Sequence, residues 1–140
     1  MESTSKAPAP SKTKATTVGS IRHLLKDQGA YSVKGSLWME FGGERFFGPG
    51  RVELLERIEQ SGSISQAAKQ MRMSYKKAWE MITQLNTQSK RPLVIVQAGG
   101  QKGGGSVVTD EARELIGYHK RLRERFTAFL ENETKILNAE

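Results

Sequence analysis

The stretch GSISQAAKQMRMSYKKAWEMITQLNTQSKRPLVIVQAGGQKGGG, Gly62 to Gly105, holds two short helical patterns around a tight turn and then a glycine-rich hairpin. Ser63-Ile64-Ser65-Gln66 has the form of a capping box, in which the Ser63 hydroxyl accepts an orphan amide hydrogen and Gln66 reaches back. Ile64, Ala67, Ala68 and Met71 line one side of the helix it opens, and the two alanines let a neighbouring helix approach closely. Arg72-Met73 makes the turn, and Ser74 caps the next helix. There Tyr75, Ala78, Trp79, Ile82 and Leu85 share a face. Trp79 is therefore expected in the core; Tyr75 is either a core residue with an exposed hydroxyl or a surface contact. Lys76, Lys77, Glu80, Thr83, Gln84 and Thr87 point elsewhere. This is the spacing of a helix-turn-helix. Pro92 closes that region, Leu93 to Ala98 reads as a buried strand, Gly99 to Gly105 as a flexible tip, and Ser106 to Val108 as a returning strand. A strand–loop–strand placed there is the wing of a winged helix.

The flanking segments complete one domain. Ser36–Phe41 and Glu44–Phe47 around Gly42-Gly43 predict a β-hairpin. Gly48-Pro49-Gly50 breaks it, and Val52, Leu54, Leu55 and Ile58 mark one face of a helix over residues 51–60. After the wing, Thr109 caps a long helix assigned to residues 109–135. A heptad reading puts Ala112, His119 and Phe126 at one seam position and Leu115, Leu122, Phe129 and Ile136 at the other. Such a helix is too long for a small domain to cover, so Leu115, His119, Leu122, Phe126 and Phe129 are the expected dimer contacts. Residues 1–30 read as a flexible basic low-complexity tail with Pro8, Pro10, Lys6, Lys12 and Lys14. Within it, Ser20 to Asp27 predicts one or two helical turns stopped at Gly29. The expected fold is mainly α with small β: a winged helix-turn-helix over residues 31–140, with an N-terminal β-hairpin and a long C-terminal dimerisation helix.

Charge narrows the function. From Ser63 to Lys102 there are seven cations (Lys69, Arg72, Lys76, Lys77, Lys90, Arg91, Lys102) and one anion, Glu80, a net +6 of the chain's +7. A compact basic segment of this layout points to nucleic acid. The chain of 140 residues has no cysteine, which excludes disulfides and thiolate metal sites, and its two histidines lie far apart. No metal and no cofactor are expected. No run spans a bilayer and no signal peptide stands at the start, so a soluble, cytoplasmic protein with no membrane partner is expected.

A recognition helix enters the major groove with its N-terminal residues toward base edges. The expected DNA contacts are Ser63, Ser65, Ser74, Tyr75, Lys76, Lys77 and Gln84, with Lys90 and Arg91 where the chain leaves the helix and Lys102 on the wing tip. Lys76 and Lys77 stand out because a helix N-terminus disfavours cations, and two of them there call for an outside anion. The glycine loop fails as a nucleotide cradle: Lys102 precedes the glycine run, no Gly-Lys-Ser/Thr follows, and the loop joins two strands. No nucleophile is paired with a base, so no catalytic residues are assigned.

These motifs resemble the N-terminal domain of the molybdate-responsive transcriptional regulator ModE family. The resemblance rests on Gly50-Arg51 leading to Leu54-Leu55, on Gly62 to Lys69, on Met73 to Trp79, on Asn86, on Pro92-Leu93-Val94 and on the Gly99 to Gly105 tip, and it covers about residues 37–130. It implies a LysR-like winged helix, sequence-specific binding of double-stranded DNA, a homodimer built on the outer helices, and a bacterial transcriptional regulator. The family's molybdate sensors carry further oxyanion-binding domains, which residues 1–140 do not match. The expectation is a regulator without its own molybdate-binding domain, taking any signal from a separate sensing protein. The rival expectations are a non-specific DNA-architectural protein and a winged-helix interaction adaptor.

Overall fold

Gly42 and Gly43 take φ of 60° and 84°, the pair of left-handed residues that a two-residue hairpin turn requires. They fold β1 (Met39–Phe41) onto β2 (Glu44–Phe47) in antiparallel register, Phe41 opposite Glu44 and Met39 opposite Phe47, with a bulge beside Met39. The first strand is shorter than expected because residues 36–38 stay outside the ladder. Trp38 instead lies under the Arg45 guanidinium, 4.2 Å from the ring centroid, and donates from Nε1 to Glu40. The computed structural model describes residues 20–28, 30–97 and 105–139. Lys102, most of the wing tip, Gly29 and the tail before Ser20 lie outside the described residues. The described residues fall into two compact units: those within 35–128, and those within 20–34 together with 129–139.

In the larger unit, β2 leads into α1 (Pro49–Ser61) through Gly48, where an added Cβ would lie 2.9 Å from the Trp38 Cβ. Pro49 at the first helical position costs no hydrogen bond. Leu54, Leu55 and Ile58 are fully buried and form the centre of the core with Phe47. Gly62 ends α1 in the left-handed region, φ 71°, and its carbonyl then accepts the Ser106 amide at 2.9 Å. One glycine thus stops a helix and anchors the foot of the wing.

Ser63 caps α2 (Ile64–Gln70), accepting the Gln66 amide at 3.0 Å. The other half of the expected capping box is not made. The Ser63 amide donates to the Ser61 hydroxyl at 3.2 Å, so a local partner has replaced the Gln66 side chain. The turn closes with Met73 N–H on Ala68 C=O and Arg72 N–H on Lys69 C=O, the paired bonds of a Schellman stop. Its left-handed residue is Arg72, φ 57°, not a glycine. Ser74 opens α3 (Tyr75–Gln88), accepting the Lys77 amide at 3.0 Å. Ala78, Ile82 and Leu85 are buried against α1 and α2.

Asn86 stitches α3 to the wing. Its Oδ1 accepts the amides of Leu93 and Val94 at 2.8 and 3.2 Å, and its Nδ2 donates to the Val94 carbonyl. β3 (Val94–Val96) and β4 (Ser106–Val108) pair antiparallel, Val94 opposite Val108. Only those two valines are buried; Ile95, Val96 and Val107 are exposed. The expectation of a buried strand over Leu93–Ala98 is corrected accordingly: the wing is covered only at its base, where Leu93, Val94 and Val108 meet the core, and Val96 on the same face as Val94 is already exposed. Thr109 caps α4 (Asp110–Asn138), which ends three residues beyond the expected position. Its hydroxyl accepts the Ala112 amide and donates to the Pro92 carbonyl. Arg113 pairs with Glu59 of α1 at 2.6 Å, a bond that holds its pKa above the usual value.

In the smaller unit, the expected N-terminal helix reduces to one 3-10 turn, Arg22–Leu24, with the Ser20 hydroxyl accepting the Arg22 amide. The following extended segment lies on the end of α4. Tyr31 exchanges two hydrogen bonds with the Asn138 side chain, and the Val33 amide donates to Thr134 at 2.9 Å. Among the described residues, no helix is long and apolar enough to cross a membrane.

Candidate nucleic-acid interface

The helix-turn-helix places α3 with one face inward and the start of the other bare. Ser74, Tyr75, Lys76 and Lys77 are all exposed, and the first turn contains no acid. The free amides of that turn and two lysines therefore present positive charge at one end of α3, with Glu80 the nearest acid along the helix. Neither lysine takes part in an ion pair among the described residues. Ser65 is exposed on α2, whereas Ser63 is half-buried with its hydroxyl committed to the Gln66 amide.

On α3 one aromatic departs from the sequence reading and a second, left open by it, is decided. Trp79, expected in the core, is 41% exposed, and Tyr75 is 55% exposed. Their rings stack on each other, centroids 6.3 Å apart and planes 17° from parallel. The reason is space: Ala78, Ile82 and Leu85 fill the inner face, and Trp79 stands about 100° around the helix from Ala78. Gln84 is exposed, but its Oε1 accepts a hydrogen bond from Arg51. Its Nε2 can still donate, and its Oε1 keeps one lone pair beside a cation. Gln84 also stands about 15 Å along the axis from Ser74.

Arg51 is the residue that the sequence reading left without a role here. It is buried on α1, bonded to the Phe46 carbonyl and to Gln84. Desolvation, and then the charge of Arg45, lower its pKa. The signal was present: Arg51 falls three, four and seven residues before Leu54, Leu55 and Ile58, on the buried face of α1. An arginine there must find an acceptor.

Lys90 and Arg91 are exposed beyond the end of α3, some distance along the chain from Lys76 and Lys77. Arg91 lies 3.6 Å from Glu111, an exposed pair of the kind that contributes little. Both border an open groove of about 500 Å³ with Phe46, Leu93, Leu115 and Tyr118.

The proposed dimer contacts divide. His119 is corrected: it is 2% exposed, its ring edge-on to Phe47 at 5.6 Å, so it serves its own core and not a partner. Its pKa is lowered, first by burial and then by Arg123. Leu115 packs partly on the same core. Leu122 and Phe126 are half-buried, and Phe129 is 56% exposed.

Residues 50–113 match the model of the bacterial regulatory helix-turn-helix protein, lysR family. The molybdenum transport protein ModE of Azotobacter vinelandii is 40% identical over 88 residues, 63% of this chain and 33% of that protein. The transcriptional regulator ModE of Haemophilus influenzae is 39% identical over 97 residues, 67% of this chain and 38% of that protein. The DNA-binding transcriptional dual regulator ModE of Escherichia coli K12 is 43% identical over 79 residues, 56% of this chain and 30% of that protein. The chain thus spans about a third of the length of the curated relatives it matches.

Proposed function

We propose that this chain, which carries a ModE-like DNA-binding domain of the LysR helix-turn-helix type, is a transcriptional regulator that reads a two-fold symmetric site as a homodimer. The observation that carries the reading is the start of α3: a serine-capped turn with no acid, two lysines in no ion pair among the described residues, and a buried opposite face. In this reading residues 31–140 are the working unit, and Ser74, Tyr75, Lys76 and Lys77 enter the major groove. Ser63 and Ser65 approach the backbone. Gln84 contributes its remaining donor, Lys90 and Arg91 meet phosphates outside the groove, and Lys102 does so from the wing.

The dimer forms through the outer residues of α4, Leu122, Phe126 and Phe129, without His119. One recognition helix per half-site puts half-site centres about 34 Å apart or at a multiple of that. Phe129→Glu should convert a dimer to a monomer in sedimentation at unchanged fold; a wild-type monomer bound to a single half-site would overturn the dimer.

The decisive experiment is a binding selection from random duplexes, followed by titration of the winner against excess unrelated DNA. A regulator holds its site at physiological salt, whereas a coating protein does not. Lys76→Ala/Lys77→Ala should lower the slope of log affinity against log salt by about two. An unchanged slope sinks this placement of α3. Repeating the titration with and without molybdate tests whether the relatives' named connection to molybdenum extends to this chain.

A further inference from the structure

The stacked pair Tyr75–Trp79 is an anomaly on α3. Of the other large apolar residues of that helix, Ile82 is 2% exposed, Leu85 is fully buried and Met81 is half-buried against the core. The two aromatics instead stand one turn apart in water, rings parallel within 17°. Each ring limits the other's freedom, so the pair is a preformed apolar plateau. Trp79 and Asn86 are seven residues apart and share a side of the helix. Asn86 is bonded to Val94 of β3, so the plateau flanks α3 toward the wing, away from Gln84 and Arg51. Ser74, Lys76 and Lys77 adjoin it in sequence, on the turn that the proposed function sets against DNA.

We propose that the Tyr75–Trp79 stack is a thymine-reading element, seating the C5-methyl group of a thymine in the major groove. The inference rests on the DNA-binding reading above and names what part of the base edge this flank recognises. Among the base edges of that groove the thymine methyl is the apolar group; the others present hydrogen-bond donors and acceptors. A cytosine at the same place has no methyl and sets an amino group against the rings without a partner, which costs binding. The plateau therefore selects thymine on the strand it faces, and it adds no dependence on salt.

The test uses duplexes enriched by binding selection with this chain, each thymine replaced in turn by deoxyuridine. That change removes one methyl and keeps the pairing edge. At one or two positions per half-site, wild type should lose roughly fourfold in affinity, the worth of one buried methyl. Trp79→Ala should bind more weakly and show no thymine–uracil difference at those positions, with its salt slope that of wild type. Trp79→Phe should keep part of the difference. Enriched duplexes with no uracil-sensitive position, or Trp79→Ala with the full thymine–uracil ratio, overturn the inference and leave the DNA reading standing. Selection that enriches no sequence overturns both.

Discussion

The first turns of α3 and α4 are built alike and charged oppositely. Each is opened by a hydroxyl cap: Ser74 accepts the Lys77 amide at 3.0 Å, and Thr109 accepts the Ala112 amide at 3.2 Å. α4 then places Asp110 and Glu111 in its first turn, the sign that a helix start favours. α3 has no acid there and places Lys76 and Lys77 instead. One helix start is electrically complete within the fold. The other is left without that compensation, and in the proposed function a DNA phosphate supplies it. The two helix starts thus differ in the charge of their first turns, not in how they are capped.

The largest expected effect comes from making α3 resemble α4. Lys76→Glu/Lys77→Glu should weaken binding to a selected duplex on the order of 10³-fold, since like charges then face the phosphates. The same variant should gain roughly 0.3–1 kcal/mol of stability per site from the dipole. Anisotropy and urea denaturation on one preparation check both; loss of stability together with binding would mean that the lysines hold the fold.

Removing the caps compares the two starts directly. Thr109→Ala should cost about 1–2 kcal/mol, and Ser74→Ala about 1 kcal/mol, read as shifts in denaturation midpoint. Thr109 loses more because its hydroxyl also donates to the Pro92 carbonyl at the exit of the wing. Equal losses would show that this second bond contributes nothing. Neutralising α4 as Asp110→Asn/Glu111→Gln should cost about 0.3–1 kcal/mol and the loss should shrink in high salt.

The smallest effect is set by His119, buried two turns further along α4. Its folded pKa lies below the usual histidine value near 6.5. The unfolded chain therefore takes up a proton first as pH falls, and stability is lost from about pH 6.5 downward until the folded form also protonates. Above that window the contribution is fully present. Denaturation at pH 7.5 and 5.0 should show the drop, and His119→Gln should reduce it; an unchanged drop would assign it to other groups.

Much of the domain was legible because its signals are local. The caps Ser63, Ser74 and Thr109 and the Gly42-Gly43 turn each depend on residues within a few positions. What escaped depended on neighbours distant in sequence or on competition for one partner. Arg51 and Gln84 are 33 residues apart, and nothing in either segment announces their bond. Gln66 lost its place to the nearer Ser61 hydroxyl. His119 occupied a seam position by spacing, yet Phe47 of the hairpin claims it. Trp79 lies at the margin of the apolar face, where a helical wheel does not decide between inside and outside.

The order and type of the elements, and the site of excess charge, follow from the chain alone. Short-range sterics, hydrogen bonding and periodicity act between near neighbours, whatever the rest of the molecule does. Which borderline side chains are buried was a matter for the tertiary structure. The space behind α3 is finite, Ala78, Ile82 and Leu85 fill it, and so the aromatic pair stands outside, where a base can meet it.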